Sequence, residues 1–222
     1  MNDPHLGQPV VLTGAPLDQA RAAMILVHGR GATAESILLL ARELTMWRAP
    51  QVRPLQDVAF LAPQAAGNTW YPYSFLSPIA QNEPGITSGL ASLARTLAQV
   101  EAAGIPAERT VLLGFSQGAC LTTEFVARHP RRYGGVVGLS GGLIGPPGLT
   151  RHDVGDLAGT PVFLGCSDVD PHIPKARVEE SAQVFRALSG DVTMRLYRGM
   201  DHTVNADELD FVRAMLDRLL QG

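Results

Sequence analysis

The chain alternates short apolar runs with longer segments of helical periodicity, and this alternation constrains its fold more than any other feature. The apolar, β-branched runs predict six strands, over residues 22–27, 58–61, 110–113, 135–139, 161–164 and 192–197. Apolar residues recur at helical spacing over 34–47, 86–103, 117–129, 174–188 and 209–219. Strands that alternate with helices form a mostly parallel sheet with helices on both faces. We therefore expect an α/β fold.

The length and charge of the chain limit its organisation and its partners. With 222 residues it suits a single domain, residues 1–222, and leaves little length for a separate lid. The formal net charge of −3 gives no reason to expect nucleic acid as a partner. No apolar stretch approaches the ~20 residues of a membrane-spanning helix. Two cysteines and no recognisable secretory signal lead us to expect reduced thiols and a cytoplasmic location.

The clearest sign of chemistry is a serine between two glycines, in the segment 114–118 (GFSQG). This segment follows the predicted strand 110–113 and precedes a predicted helix, so it fits a sharp strand-to-helix turn that exposes a hydroxyl group. The same motif also arises by chance in glycine-rich chains, and the flanking strand and helix therefore carry the interpretation. They predict Ser116 as a nucleophile.

A serine hydroxyl needs a general base, and the base needs a carboxylate that orients it. In a parallel sheet, such residues are expected just beyond the carboxyl ends of strands. His202 follows the last predicted strand and precedes the terminal helix, which makes it the candidate base among six histidines. Asp168 and Asp170 both follow the strand 161–164 and compete for the role of the acid. The residues by themselves do not choose between the two.

The other histidines have plainer interpretations. His5 lies in a terminus that we expect to be mobile, His129 ends a predicted helix, and His152 lies in a loop. His172 belongs to the same turn as the two aspartates, from which it cannot readily reach Ser116.

Acyl transfer also needs hydrogen-bond donors for the negative oxygen that develops in the transition state. One candidate is the backbone N–H of Gln117, directly after the serine. The other is the backbone N–H of Arg30 in the segment 28–31 (HGRG), in which His28 would be structural. Taken alone, this segment is equally well a tight turn. The Arg30 side chain is either solvated or lies at the mouth of the site, where it would favour an anionic substrate.

Together these segments resemble the carboxylesterase/phospholipase branch of the α/β-hydrolases, which includes acyl-protein thioesterases and small bacterial carboxylesterases. The resemblance spans about four fifths of the chain in the family's order. It rests on LVHGRG at 26–31, APQ at 62–64 with WY at 70–71, GFSQG at 114–118, DVDPHIP at 168–174 and GMDH at 199–202.

The resemblance implies a role for each candidate residue. The family's acid is the aspartate of an Asp-Pro-x-x-Pro turn, and this selects Asp170. The resemblance also supports Ser116 as the nucleophile and His202 as the base. The backbone N–H groups of Arg30 and Gln117 would form the oxyanion hole.

Some positions depart from the family's usual pattern. Cys166 and Ser167 stand where the thioesterases usually carry His-Gly, Arg30 replaces an aliphatic residue, and Ala32 replaces an acidic one. These departures leave the implied hydrolase activity intact. They weaken any transfer of specificity for lipidated proteins.

The aromatic segment, residues 70–75 (WYPYSF), corresponds to the part of the relatives that lines the acyl pocket. Its residues Trp70, Tyr71 and Phe75 are therefore the candidate substrate-binding residues. The alternative is that the segment is a packed surface cover.

The resemblance implies a serine carboxylesterase that acts through an acyl-serine intermediate. Because the chain has little length for a lid, we expect an open, shallow site for short to medium acyl esters. Two cysteines and no clustered ligands give no reason to expect a metal, and we expect no other cofactor. The nearest alternative is an acyl thioesterase or a lysophospholipase of the same family. Two others are a dienelactone-hydrolase-like enzyme, which favours cysteine as nucleophile, and a non-catalytic binding protein on the same scaffold. The partners we expect are a small-molecule ester and, among macromolecules, at most a second copy of the chain.

Overall fold

The structure, a computed structural model, describes residues 3–46 and 55–221, and its described strands form one sheet. Seven strands lie in the order β1-β3-β2-β4-β5-β6-β7. They are β1 (Val10–Gly14), β2 (Ala22–Val27), β3 (Val58–Pro63), β4 (Thr110–Phe115), β5 (Gly135–Leu139), β6 (Pro161–Ser167) and β7 (Asp191–Tyr197). Every neighbouring pair is parallel except β1 with β3. The predicted α/β class with a mostly parallel sheet is confirmed.

Helices cover both faces of this sheet. They are α1 (Ala34–Met46), α2 (Gly85–Ala102), α3 (Gln117–Arg128), α4 (Lys175–Ala187) and α5 (Ala206–Gln221). One apolar core contains α2, α3 and α4, and the other contains α1 and α5. Successive residues of β2 enter the two cores in turn, because side chains alternate across a strand. A strand that is buried on both faces therefore has an unbroken run of apolar residues in its sequence, as β2 does.

The predicted strands and helices are found close to their predicted bounds, and the main difference is β1. This strand pairs antiparallel with β3 at the edge of the sheet. Its residues are partly or fully exposed, so it lacks the continuous apolar pattern of the buried strands. The prediction therefore missed it. Trp47, at the end of the first predicted helix, lies outside the described residues.

The parallel strands bring the candidate residues to one edge of the sheet. The carboxyl ends of β2, β4, β6 and β7 lie on the same side, because these strands run in the same direction. The segments that follow them carry Arg30, Ser116, Asp170 and His202 respectively. The fold thus gathers residues that are distant along the chain.

Close packing explains the two glycines that flank Ser116. A Cβ atom at Gly118 would lie 2.1 Å from the carbonyl oxygen of Val27, and one at Gly114 would lie 2.3 Å from the carbonyl oxygen of Gly118. Ser116 itself adopts φ 55° and ψ −119°, a backbone conformation that is unfavourable for a residue with a side chain. The contact between β2 and the start of α3 therefore fixes a strained turn with the serine at its tip.

Replacing Gly118 with Ala should destabilise the protein by roughly 3 kcal/mol, because the new methyl group would overlap with backbone atoms that have no room to move. Urea denaturation measures the loss. The control is Gly104→Ala, since a Cβ at Gly104 meets nothing within 4 Å and only its φ of +91° is unfavourable. The control should lose about 1 kcal/mol. Equal losses in the two variants would contradict this account of the turn.

Candidate active site

Three side chains from three separate loops form a hydrogen-bonded chain at the carboxyl edge of the sheet. The Ser116 Oγ atom lies 2.9 Å from Nε2 of His202. Nδ1 of the same imidazole lies 2.7 Å from Oδ2 of Asp170. The structure therefore brings together the predicted nucleophile, the predicted base and one of the two candidate acids.

The other candidate acid has a different partner. Asp168 accepts a hydrogen bond from the backbone N–H of Gly199, with an N–O distance of 2.8 Å. This bond ties the loop after β6 to the loop that carries His202. Asp168 therefore joins two loops, whereas Asp170 contacts the imidazole.

Asp170 is held as a carboxylate. Its side chain is fully buried, and burial alone would raise its pKa. Hydrogen bonds from His202 and from the backbone N–H groups of His172 and Ile173 outweigh burial and hold the pKa of Asp170 below its ordinary value. A carboxylate facing Nδ1 favours the tautomer with its proton there. Nε2 is then free to accept the proton of Ser116.

Cys166 is a further neighbour of this acid that the sequence reasoning missed. Its Sγ atom lies 3.8 Å from Oδ2 of Asp170. Burial, reinforced by the charge of Asp170, raises the pKa of the Cys166 thiol to about 12. The group is therefore a neutral thiol that donates a weak hydrogen bond to the carboxylate.

Two free backbone donors lie beside Ser116. Among the hydrogen bonds of the described part of the chain, none uses the backbone N–H of Arg30 or of Gln117. Both residues line the same cleft as Ser116. A Cβ atom at Gly29 would lie 3.3 Å from the Cβ of Ser116, so the loop after β2 packs directly against the serine. This arrangement suits an oxyanion hole.

Buried hydrogen bonds hold the loop after β2 in place. The Nδ1 atom of His28 contacts the carbonyl oxygen of Gly29 at 2.8 Å, and Nε2 accepts the N–H of Ala65 at 3.1 Å. Burial lowers the pKa of His28, so its ring is neutral near pH 7 and keeps one nitrogen as an acceptor. The Trp70 indole donates to the carbonyl oxygen of His28 at 2.9 Å. His28 is thus placed as a structural residue.

The placement of Trp70 differs from the expectation that it binds substrate. Its side chain has no exposed surface and packs against the rings of His5 and His28. A substrate therefore has no surface of Trp70 to contact. Tyr71 and Phe75, the other two predicted substrate-binding residues, do line the cleft.

The side chain of Gln117 has a role that the sequence reasoning missed. Its Oε1 atom accepts the backbone N–H of Trp70 at 3.0 Å, and its Nε2 donates to the carbonyl oxygen of Tyr71 at 2.8 Å. These two bonds fasten the aromatic segment to the start of α3. Only a contact distant in sequence reveals this function, so no local pattern could have found it.

Two further histidines lie near the site, and the prediction for one of them was wrong. The expectation that His5 is in a mobile terminus was wrong, because its side chain is buried and its ring bonds to the carbonyl oxygen of Trp70 at 2.9 Å and to the N–H of Ala66 at 3.1 Å. His172 is exposed in the cleft. Its ring centroid lies 5.0 Å from that of His202, in an edge-on arrangement.

The cleft has a volume of about 670 Å³. Its wall includes Gly29, Arg30, Tyr71, Phe75, Phe115, Ser116, His172 and His202. Aromatic and polar groups around a hydroxyl group are typical of a site for a small organic molecule. Among the residues that the structure describes, no three His, Cys, Asp or Glu side chains are grouped so that they could hold a metal ion.

A buried carboxyl group secures the turn that follows His202. The N–H of Asn205 donates to Oε2 of Glu208 at 2.9 Å, and the N–H of Glu208 donates to the Asn205 side chain at 3.0 Å. This reciprocal pair is a capping box at the start of α5. Oε1 of Glu208 has no hydrogen-bond partner among the described residues, and it packs against Gly165. Burial raises the pKa of Glu208 to about 7.

Comparisons with known proteins point to one family. The model of a family described as phospholipase/carboxylesterase matches residues 9–220. A crystal structure of a phospholipase/carboxylesterase from Dyadobacter fermentans is 40% identical, with a TM-score of 0.87, and the match covers 95% of this chain and 96% of that one. Acyl-protein thioesterase 1 of Saccharomyces cerevisiae is 29% identical over 94% of this chain and 97% of its own length. The protein of that name from Eremothecium gossypii is 30% identical over 89% of each chain.

Glu208→Gln should change how stability depends on pH. The carboxyl group binds a proton more tightly in the folded protein than in the unfolded chain, so between about pH 4.5 and 7 the folded state carries more protons and a rise in pH lowers stability. Gln cannot ionise, so E208Q lacks this pH-dependent loss of stability. In the wild type the loss amounts to roughly 3 kcal/mol once Glu208 is fully ionised. The Tm of the wild type should therefore fall relative to that of E208Q between pH 5 and pH 8.

The control for this measurement is E43Q, which changes an exposed glutamate of α1. Its Tm should run parallel to the wild-type Tm over the same range. A parallel curve for E208Q as well would contradict the burial of an ionisable group at this turn.

Proposed function

The chain belongs to the phospholipase/carboxylesterase family of the α/β-hydrolases, and from this membership and the site geometry we propose that it is a serine carboxylesterase acting on short to medium acyl esters. One observation carries the proposal: Ser116, His202 and Asp170 form a continuous hydrogen-bonded chain. Asp170 is held as a carboxylate at Nδ1 of His202, and Nε2 of the same ring faces the hydroxyl group of Ser116.

The first half of the reaction forms an acyl-enzyme. The Oγ atom of Ser116 attacks the ester carbonyl carbon while its proton passes to Nε2 of His202. Asp170 stabilises the resulting imidazolium through the bond to Nδ1. The backbone N–H groups of Arg30 and Gln117 bind the oxygen that becomes negative. The bond to the alcohol then breaks, and the alcohol leaves with the proton from Nε2.

The second half regenerates the enzyme. A water molecule gives a proton to Nε2 of His202 and attacks the acyl carbon. The same N–H groups bind the second oxyanion. When the bond between the carbonyl carbon and Ser116 Oγ breaks, the serine oxygen takes the proton back and the free acid is released.

The size and lining of the cleft support the proposal of esters with a short to medium acyl chain. A volume of about 670 Å³ is within the range of small-molecule sites. Tyr71, Phe75 and Phe115 offer apolar surface in its wall.

An acyl thioesterase is the second candidate, and the relatives favour it. The curated relatives from Saccharomyces cerevisiae and Eremothecium gossypii are named acyl-protein thioesterase 1, and they match 94% and 89% of this chain. A thioester carbonyl is open to the same attack by Ser116. A comparison of C2 and C16 esters with thioesters of the same acyl groups separates the two candidates. A preference for C16 thioesters would favour the second.

The 222 residues are taken to form one domain. Its free thiols support a location in the cytoplasm, where thiols stay reduced. Cys120 and Cys166 are both free and buried. Burial raises the pKa of each thiol to about 12, so neither is an activated nucleophile. No helix in the described part of the chain has the length and apolar character to cross a membrane.

Ser116→Ala should reduce hydrolysis of 4-nitrophenyl acetate by at least about a thousandfold, because the variant lacks the hydroxyl group that forms the acyl intermediate in the proposed mechanism. The matched control is Ser74→Ala, which removes another serine hydroxyl from the cleft wall. The control should lose less than about tenfold, the value of one ordinary hydrogen bond. A Ser116→Ala enzyme with the wild-type kcat/KM would exclude the proposed nucleophile.

Asp170→Asn should reduce kcat by roughly 10³–10⁴-fold, since an amide no longer holds the required tautomer of His202 or stabilises its cation. Asp168→Asn keeps an oxygen that can accept the N–H of Gly199 and should lose less than about tenfold. Steady-state kinetics on 4-nitrophenyl acetate compares the two isosteric variants. Similar losses at both positions would count against Asp170 as the acid.

A further inference from the structure

The cleft wall carries positive charge among its described residues and no negative charge. Among the described residues that line the cleft, Arg30 is the one that carries a permanent charge, and none is Asp or Glu. The net charge of the whole chain is −3, so the positive wall is a local feature and does not follow from the composition.

The guanidinium group of Arg30 is fixed in position without being neutralised. Nη1 donates to the carbonyl oxygen of Pro72 at 2.8 Å, and Nη2 donates to the carbonyl oxygen of Tyr73 at 2.7 Å. The Cζ atom lies 6.0 Å from the centre of the Tyr71 ring. All three contacts are with uncharged groups. Within the described ranges, no carboxylate lies within ion-pair distance of this side chain.

These contacts leave both charge and donors available to a ligand. A guanidinium group has five N–H donors in a planar fork, and the two carbonyl oxygens occupy two of them. The side chain is exposed, so a ligand can approach it without displacing a partner. Fixing the side chain in advance also reduces the entropy that binding would otherwise cost.

We propose that the Arg30 side chain makes this cleft selective for esters that carry an anionic group, such as a carboxylate. The inference rests on the proposed esterase function and adds the substrate class. In the proposed mechanism the backbone N–H of Arg30 binds the carbonyl oxygen of the ester, and the Arg30 side chain forms part of the same wall. Arg30 would therefore bind the substrate at two points, with its backbone N–H at the carbonyl oxygen and its side chain at the anionic group.

Matched ester pairs test the selectivity. The first pair is mono(4-nitrophenyl) adipate and 4-nitrophenyl hexanoate, which differ by a carboxylate at the end of the acyl chain. The second pair is 4-carboxyphenyl acetate and phenyl acetate, which places the carboxylate on the alcohol side. The quantity measured is the ratio of kcat/KM for the anionic ester to kcat/KM for its neutral partner. Any general damage to catalysis cancels in this ratio.

In at least one pair, Arg30→Gln should lower the ratio roughly tenfold, the effect of losing one charged hydrogen bond at an exposed site. Arg30→Lys keeps the charge and should retain most of the ratio. Raising the salt concentration from 0.01 to 0.5 M should lower the wild-type ratio, because salt screens exposed charges. The control Arg186→Gln removes an exposed cation of α4 and should leave the ratio unchanged.

The outcomes separate this inference from the function on which it rests. A wild-type enzyme that hydrolyses the esters with ratios unaltered by Arg30→Gln in both pairs would overturn the inference and leave the esterase proposal standing. An equal loss of the ratio in Arg30→Lys and Arg30→Gln would also overturn it, because charge would then not be the cause. Failure to hydrolyse any of the four esters would overturn both.

Discussion

The contact between Gly118 and the carbonyl oxygen of Val27 is the constraint on which the site depends. It brings the start of α3 so close to the end of β2 that only glycine fits. The chain must therefore turn sharply between β4 and α3, and Ser116 takes a backbone conformation that few residues adopt. The same contact sets the loop after β2 against the serine. One packing interaction thus positions both the hydroxyl group and the backbone donors beside it.

Neutral hydrogen bonds then hold the surrounding loops. His28 and the indole of Trp70 fix the loop after β2, and the amide of Gln117 fixes the aromatic segment. Because these anchors are uncharged and buried, they add rigidity without placing competing charges near the hydroxyl group. The hydrogen-bonded chain from Ser116 contains two ionisable side chains, His202 and Asp170. Hydrogen-bond donors stabilise a developing negative charge best when the surrounding structure fixes them before the substrate binds.

Much of this arrangement could be predicted from the sequence, and each failure has a physical cause. Strands buried on both faces appear as apolar runs, so β2 and β4 were visible, whereas the partly exposed edge strand β1 was not. Ser116 was identifiable because its motif lies between a strand and a helix. The roles of Trp70 and of the Gln117 side chain depend on contacts 42 and 47 residues apart, which no local pattern records. Asp168 and Asp170 lie in one turn, and what distinguishes them is their distant partners, Gly199 and His202.

The central claim is that one serine hydroxyl in this chain is activated for acyl transfer, and labelling with a fluorophosphonate tests it most directly. The reagent reacts with an activated serine, and intact mass followed by peptide mapping locates the adduct. The account predicts one adduct per chain, on Ser116, formed rapidly near neutral pH and much more slowly after His202→Ala. Absence of an adduct on the folded wild-type protein, or an adduct on another residue of the cleft, would contradict it.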